Sequence, residues 1–226
     1  MAKSIEQGDF IRLDFTGRDS SGKVFETTRA QDAKENGSFD ARVKYAPALV
    51  VAGKGQLLKG LDDAVLKTTE GAEQNVALPK EKAFGERDPA LVRLVTLTHF
   101  RQSGIEPVAG QVVELDGRPA RVQSVNGGRV RVDFNSELAG QNLAYSFKVT
   151  SVMKTAEEKI AGLAEDLNAK ATLANQVVTV KVDETVPKDG RFLERKLRFL
   201  QHALLYIQEV EKVVFQEEYA RPKESK

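Results

Sequence analysis

The sequence predicts an α+β fold built mainly from antiparallel strands, and three observations carry that reading. Short segments of strand-like alternation recur between turn signals along the first two thirds of the chain. One short helical pattern, formed by Leu58, Leu61, Ala64 and Val65, interrupts them. From Thr155 onward, two helical patterns flank a single β-branched run.

Residues 8–17 (GDFIRLDFTG) set Phe10, Arg12 and Asp14 against Ile11, Leu13 and Phe15, the pattern of a half-buried strand. Ser20, Ser21 and Gly22 mark a turn, and Lys23–Phe25 returns as a short strand. Residues 29–46 are polar, contain one Asn-Gly, and read as a long surface loop. Leu49–Ala52 is a short apolar strand that runs into the glycine-rich GKGQLLKG. After the short helix, Gly71 acts as a stop, and Glu73–Leu78 is a further strand ended by Pro79.

A different unit begins near Glu86. Arg87-Asp88-Pro89 is turn chemistry, and Leu91–Leu97 is a compact apolar run. Three strand-like pieces follow, Gln111–Leu115, Arg118–Val125 and Arg129–Phe134, separated by Asp116-Gly117 and by Asn126-Gly127-Gly128. Both separators are hairpin signals, so the region reads as a small β meander. Leu143–Val152 is one more long alternating strand.

The character changes at Thr155. Ala156–Ala169 carries Ile160, Leu163, Ala164 and Leu167 at helical spacing, with Glu157 and Glu158 in the first turn, where the helix dipole favours them. Val177–Val186 is β-branched and reads as a strand. Asp189 is an N-cap for a helix predicted from Gly190 to about Tyr219, of which roughly 28 helical residues at 1.5 Å each would span about 42 Å. Leu193, Leu200, Ile207 and Val214 recur every seven residues, with Leu197 and Leu204 between them. Phe192, Phe199, Tyr206 and Val213 repeat the step one position earlier. Two stripes fit either wide burial in one domain or a second face for a dimer or a client. The polar end ARPKESK reads as frayed.

Composition removes whole classes of chemistry. The 226 residues give a soft prior of one or two domains. Lys and Arg number 34 against 33 Asp and Glu, so the balance is not that of a strongly basic nucleic-acid binder. The absence of Cys excludes disulfides, thiolate nucleophiles and iron–sulfur clusters. Only His99 and His202 could serve imidazole catalysis, and both read as solvent-facing or core-edge side chains rather than metal ligands. MAKSIEQGDFIRLDF has no apolar signal region, and no stretch approaches 18 apolar residues, so the expected location is cytoplasmic with no membrane partner.

The segments LDFTGRDSSGKVFETT, VVAGKGQLLKGLDDAV and ALPKEKAFGERDP stand in the order and spacing of the FKBP-type peptidyl-prolyl isomerases, which this chain resembles. FNSELAG and LAYSFKV continue the match. The string between Gly85 and Leu138 resembles the insert-in-flap domain of the SlyD-like subfamily, closest to its long archaeal members with a C-terminal extension. The resemblance implies an FKBP antiparallel half-barrel sheet with one short helix, a small all-β insert, and a C-terminal α/β extension with a long amphipathic helix. The implied division is 1–86 plus 139–153 for the isomerase domain, 87–138 for the insert and 154–226 for the extension.

It also implies the site. Phe25, Glu26, Leu58, Leu61, Phe84 and Tyr145 fall on the catalytic pocket positions, with Phe15, Ala48 and Leu57 beside them in substrate binding. Leu58 would supply a backbone N–H, Leu61 the floor, Phe25 and Tyr145 the walls, and Glu26 a polar rim. In the insert, Leu91, Val92, Leu94, Val95, Leu97 and Phe100 are the expected sticky run for extended chains. The chain departs from the family's common pattern at four positions. Glu26 replaces the usual Asp, Leu61 a frequent Trp, Phe84 a Tyr, and Phe15 a Tyr that would partner the pocket acid. These changes imply retained isomerisation with weakened affinity for FK506-type macrolides.

No cofactor is implied, and the tail lacks the His and Cys of nickel-binding SlyD relatives. The implied partners are unfolded or proline-containing polypeptides, with a homodimer through the C-terminal domain as a further expectation. Two competing readings remain: a non-catalytic chaperone or peptide-binding module on this scaffold, and a nucleic-acid or ribosome partner. The second rests on Arg118, Arg121, Arg129 and Arg131, diluted by Glu114, Asp116 and Asp133.

Overall fold

Phe10 and Ile11 point to opposite faces of the first strand, yet both are fully buried. Something therefore covers each face. The computed structural model describes residues 2–219, and in chain order it runs β1 (Phe10–Arg18), β2 (Val24–Thr27), α1 (Ala30–Glu35), β3 (Ala48–Val51), α2 (Lys59–Val65) and β4 (Glu73–Leu78). Next come β5 (Val92–Thr96), α3 (Leu97–Gln102), β6 (Val112–Leu115), β7 (Arg118–Asn126), β8 (Arg129–Asp133) and β9 (Leu143–Met153). The chain continues through α4 (Ala156–Asp166), β10 (Lys170–Ala174), β11 (Val177–Val182), α5 (Gly190–Tyr206) and β12 (Lys212–Glu217). The polar end at 220–226 lies outside the described residues. No helix among the described residues is long and apolar enough to cross a membrane.

The contacts divide the chain into two compact units. One takes the chain up to Gly17, Val24–Val76 and everything from Tyr145 onward; the other takes Arg18–Lys23 and Ala77–Ala144. In the first, the strand order is β2-β1-β9-β4, with β3 antiparallel to β1 so that Phe10 faces Val51 and Leu13 faces Ala48. A second sheet, β10-β11-β12, pairs β10 with β11 antiparallel and β11 with β12 parallel.

One core joins the two sheets. Phe10, Leu49 and Val51 are buried together with Ile160, Leu163, Leu167, Val178, Val180, Phe192, Phe199, Ala203 and Ile207. Each large side chain so buried stabilises the fold by about 1.5–3 kcal/mol. Arg12, on the same face of β1 as Phe10, donates to Asp166 (2.6 Å) and to the Gly162 carbonyl (3.0 Å). The first strand is thus covered on both faces instead of half-buried, because the C-terminal segment packs on its outer face.

Two further elements differ from the sequence reading. Within 29–46, Ala30–Glu35 is a helix, with Ala33 buried. The Asn-Gly that suggested a loop ends that helix, with Asn36 as C-cap and Gly37 at φ +71°. The helix expected to reach Tyr219 stops at Tyr206, and Lys212–Glu217 is a strand. The run Val213-Val214-Phe215 is β-branched and aromatic, and the free edge of β11 offers it a ladder that outweighs the heptad pattern. On α5, Phe192, Phe199, His202 and Ala203 face inward, while Leu193, Leu197, Leu204 and Leu205 are exposed.

The second unit is a four-stranded antiparallel sheet in the order β5-β8-β7-β6. Its core is Phe100, Val113, Leu115, Ala120, Val122, Val130 and Val132. The hairpin signals act as read, with Asp116, Gly117, Gly127 and Gly128 all at positive φ. The apolar run from Leu91 divides: Pro89–Leu91 is one 3-10 turn, Val92–Thr96 is a strand, and Leu97 opens α3.

Candidate active site

Three strands of the first unit, β1, β2 and β9, bring Phe15, Phe25, Glu26 and Tyr145 together. At the end of β1, the Phe15 N–H donates to Thr28 Oγ1 (2.9 Å), and the Thr28 N–H returns to the Phe15 carbonyl (3.0 Å). Thr28 Oγ1 also donates to Asp14 (2.9 Å), so the chain leaving β2 is fastened to β1. Thr16 donates to Asp32, tying α1 to the same place.

Tyr145 of β9 is 1 % exposed and sits among these residues. Its ring lies 6.1 Å from that of Phe15 and edge-on to Phe25 at 5.9 Å, both separations at which aromatic pairs attract. Its hydroxyl donates to Glu26 Oε1. Burial, reinforced by that bond, holds the phenol well above its ordinary pKa, so it stays protonated and remains a donor. Glu26, which the sequence reading expected to lose a tyrosine partner on the first strand, thus has one in Tyr145 on β9. Tyr145→Phe is expected to lower unfolding free energy by about 1–2 kcal/mol, read from urea unfolding, while the ring keeps peptide activity within about threefold.

Gly17, which the sequence reading quoted but did not single out, lies against the aromatic cluster. A Cβ there would meet Phe25 Cζ at 2.7 Å and Tyr145 Cε1 and Cζ at 3.0 Å. The aromatic walls therefore rest on bare backbone. The available signal was the Thr-Gly that interrupts an otherwise side-chain-bearing strand.

The remaining expected residues of the first unit lie at Ala48 and around the start of α2. Leu58 is its N-cap, and the Leu58 carbonyl accepts the first helical bond, from the Asp62 N–H (2.9 Å). The amides at this end precede the helical ladder and have no partner within it. Asp62 turns back instead and accepts the Gly53 (2.8 Å) and Gly55 (3.3 Å) N–H groups, which shapes the loop leading to Leu57 and Leu58. Leu61 is buried, Leu57 and Leu58 are half-buried, and Ala48 opens β3 opposite Leu13.

The remaining expected residues belong to the second unit. Phe84 follows the 3-10 turn Lys80–Lys82 and is 40 % exposed. The sticky run does not form one surface. Leu97 lines a groove of about 420 Å³ with Arg101, Ile105, Pro107 and Val125. Val92 and Leu94 line another of about 280 Å³ with Pro89, Arg93 and Arg131. Val95 packs against the core, and Phe100 is fully buried within it. Phe100 is therefore a core residue, not a contact for extended chains.

Phe15, Phe25, Glu26 and Tyr145 form an aromatic cluster with one carboxylate, and the chain carries a helix start at Leu58 whose first amides have no partner within the helix. A family model for FKBP-type peptidyl-prolyl cis-trans isomerases matches residues 2–94, and one described as FKBP26, IF domain matches 93–138. The short-type peptidyl-prolyl cis-trans isomerase of Methanocaldococcus jannaschii is 33 % identical over 158 residues, covering 70 % of this chain and 100 % of that protein. The FKBP-type 16 kDa isomerase of Escherichia coli is 28 % identical over 157 residues, 67 % of this chain and 96 % of that one. The SlyD isomerase of Helicobacter pylori is 28 % identical over 141 residues, 60 % and 76 % of the two chains. This chain belongs to the FKBP-type peptidyl-prolyl cis-trans isomerase family, SlyD-like, with an inserted unit of the FKBP26 kind.

Proposed function

We propose that the chain is a folding isomerase that couples proline rotation in its first unit to the holding of unfolded segments by its second. Rotation about Xaa–Pro faces a barrier of about 18–20 kcal/mol, but no bond is made or broken. The planar amide is resonance-stabilised and well solvated, whereas the twisted form has less C–N double-bond character and a smaller carbonyl dipole. An apolar cleft therefore favours the twisted form, which is differential binding of the transition state. In this reading the Leu58 N–H holds a substrate carbonyl and Leu61 lies under the proline ring. Phe25 and Tyr145 wall the ring, with Phe15, Ala48 and Leu57 beside them, and Glu26 stands at the rim.

The observation that supports capture is the position of β5. It is an outer strand of the second sheet and carries Leu94 at 65 % exposure. An outer strand presents unpaired backbone groups to an extended chain, and alternate side chains supply apolar contact. The test compares catalysis on a short proline peptide with catalysis of proline-limited protein refolding. No acceleration of either would leave a binding module without isomerase activity.

A further inference from the structure

The loop that delivers the Leu58 amide is fastened to the C-terminal helix at two points. Gln56 lies two residues before Leu58, and its Oε1 accepts the Val51 N–H (2.9 Å). Its Nε2 is therefore a donor, and it stands 3.0 Å from His202 Nε2 on α5. His202 Nε2 must accept, which puts the ring proton on Nδ1. Nδ1 is buried and has no partner among the described residues, so that ring is held by packing and by Gln56 alone. Phe10 meets it edge-on at 6.0 Å, and Tyr206 lies at 5.7 Å. The second fastening is Lys54, whose ammonium lies 6.0 Å from the centre of the Tyr206 ring.

We infer that the C-terminal helix sets the geometry of the substrate-holding amide at Leu58 through the Gln56–His202 bond, making both positioning residues for isomerisation. The inference rests on the reading of Leu58 as the amide that holds substrate. It gives the C-terminal segment a role in catalysis that neither family match, one ending at residue 94 and the other at 138, reaches.

The link is sensitive to acid. A second ring proton would go to Nε2 and face the donor groups of Gln56, so the bond cannot survive protonation. Burial lowers the His202 pKa below its ordinary value; Arg198 on α5 lowers it further, and Asp166 on α4 opposes both. Lys54 and Lys159, the latter over the Phe10 ring at 5.6 Å, bring further positive charge from the loop and from α4. Because the folded pKa is depressed, the contact is intact above pH 6.5 and is lost as pH falls through the lowered value.

The experiment is kcat/KM of the full chain on a short Xaa–Pro peptide between pH 8 and 4.5, with unfolding midpoints measured alongside. The unsubstituted protein should lose activity on the acid side of pH 6.5. Gln56→Ala, which removes the bonds to both Val51 and His202, should lower kcat/KM about fivefold or more at pH 7.5, at least the size of one net hydrogen bond. His202→Gln, whose amide oxygen can accept from Gln56, should keep the rate at pH 7.5 and lack the His202 acid limb. His99→Gln should retain that limb. Full activity of Gln56→Ala at pH 7.5, or the same acid limb in His202→Gln as in the unsubstituted chain, would overturn the inference. If His202→Gln does not fold, the Gln56→Ala pH profile decides, since that variant also frees the Val51 N–H: an acid limb retained without Gln56 would overturn the inference. No acceleration by the unsubstituted chain at pH 7.5 would instead overturn the isomerase reading beneath it, and the inference with it.

Discussion

Gly17→Ala is expected to lower kcat/KM on proline peptides by about a hundredfold while costing about 1–3 kcal/mol of stability. The added methyl carbon would stand 2.7 Å from Phe25 Cζ and 3.0 Å from two carbons of Tyr145. Gly17 is not at positive φ, so alanine meets no backbone penalty there and the effect reports the rings alone. Tyr145 cannot yield easily, being buried and bonded to Glu26. Phe25, on the four-residue β2, must move, and the pocket wall moves with it. Displacements near 1 Å at a reacting centre cost about two orders of magnitude in rate. Steady-state peptide kinetics with urea unfolding separates the two effects. An unchanged rate would mean that the aromatic walls are not part of the site.

Leu94→Glu combined with Val125→Glu should leave peptide catalysis unchanged and slow the catalysed refolding of a proline-limited protein by about tenfold to a hundredfold. Leu94 and Val125 are 65 % and 40 % exposed, so their replacement has little effect on folding of the second unit. They border two different grooves, so the pair weakens both surfaces at once. Holding a client next to a second site raises its local concentration, and loss of that tether removes about 10²-fold or more of apparent affinity. Peptides too short to reach both units gain nothing from it. Equal losses on peptide and protein would argue against capture by the second unit.

Much of this architecture was legible because alternation and turn chemistry act locally. The meander from Val112 to Asp133 follows from its Asp-Gly and Asn-Gly-Gly turns, and the helix at Leu61 from three apolar spacings. Two of the misreadings share a cause: the pull of a distant part of the chain. Phe10 looked like the polar-side neighbour of Arg12, and only the packing of Phe199 and Ala203 explains why it is apolar. Val213–Phe215 continued a heptad stripe, but the edge of β11 draws them into a ladder. Phe100 looked adhesive because a core residue and a binding residue have the same composition. The family motifs point to Tyr145 and Glu26 separately, whereas their mutual bond spans 119 positions and leaves no local trace.

The sharing of one core by Phe10 and Ile207 also sets a clock on biosynthesis. At synthesis rates of about 5–20 residues per second, roughly 10–40 s separate the emergence of the first strand from that of its last covering residues. Uncatalysed proline isomerisation takes a similar time, tens of seconds, and this chain has 7 prolines of its own. The outer face of the first strand therefore stays bare until Ile207 has been made, an interval as long as one uncatalysed proline isomerisation.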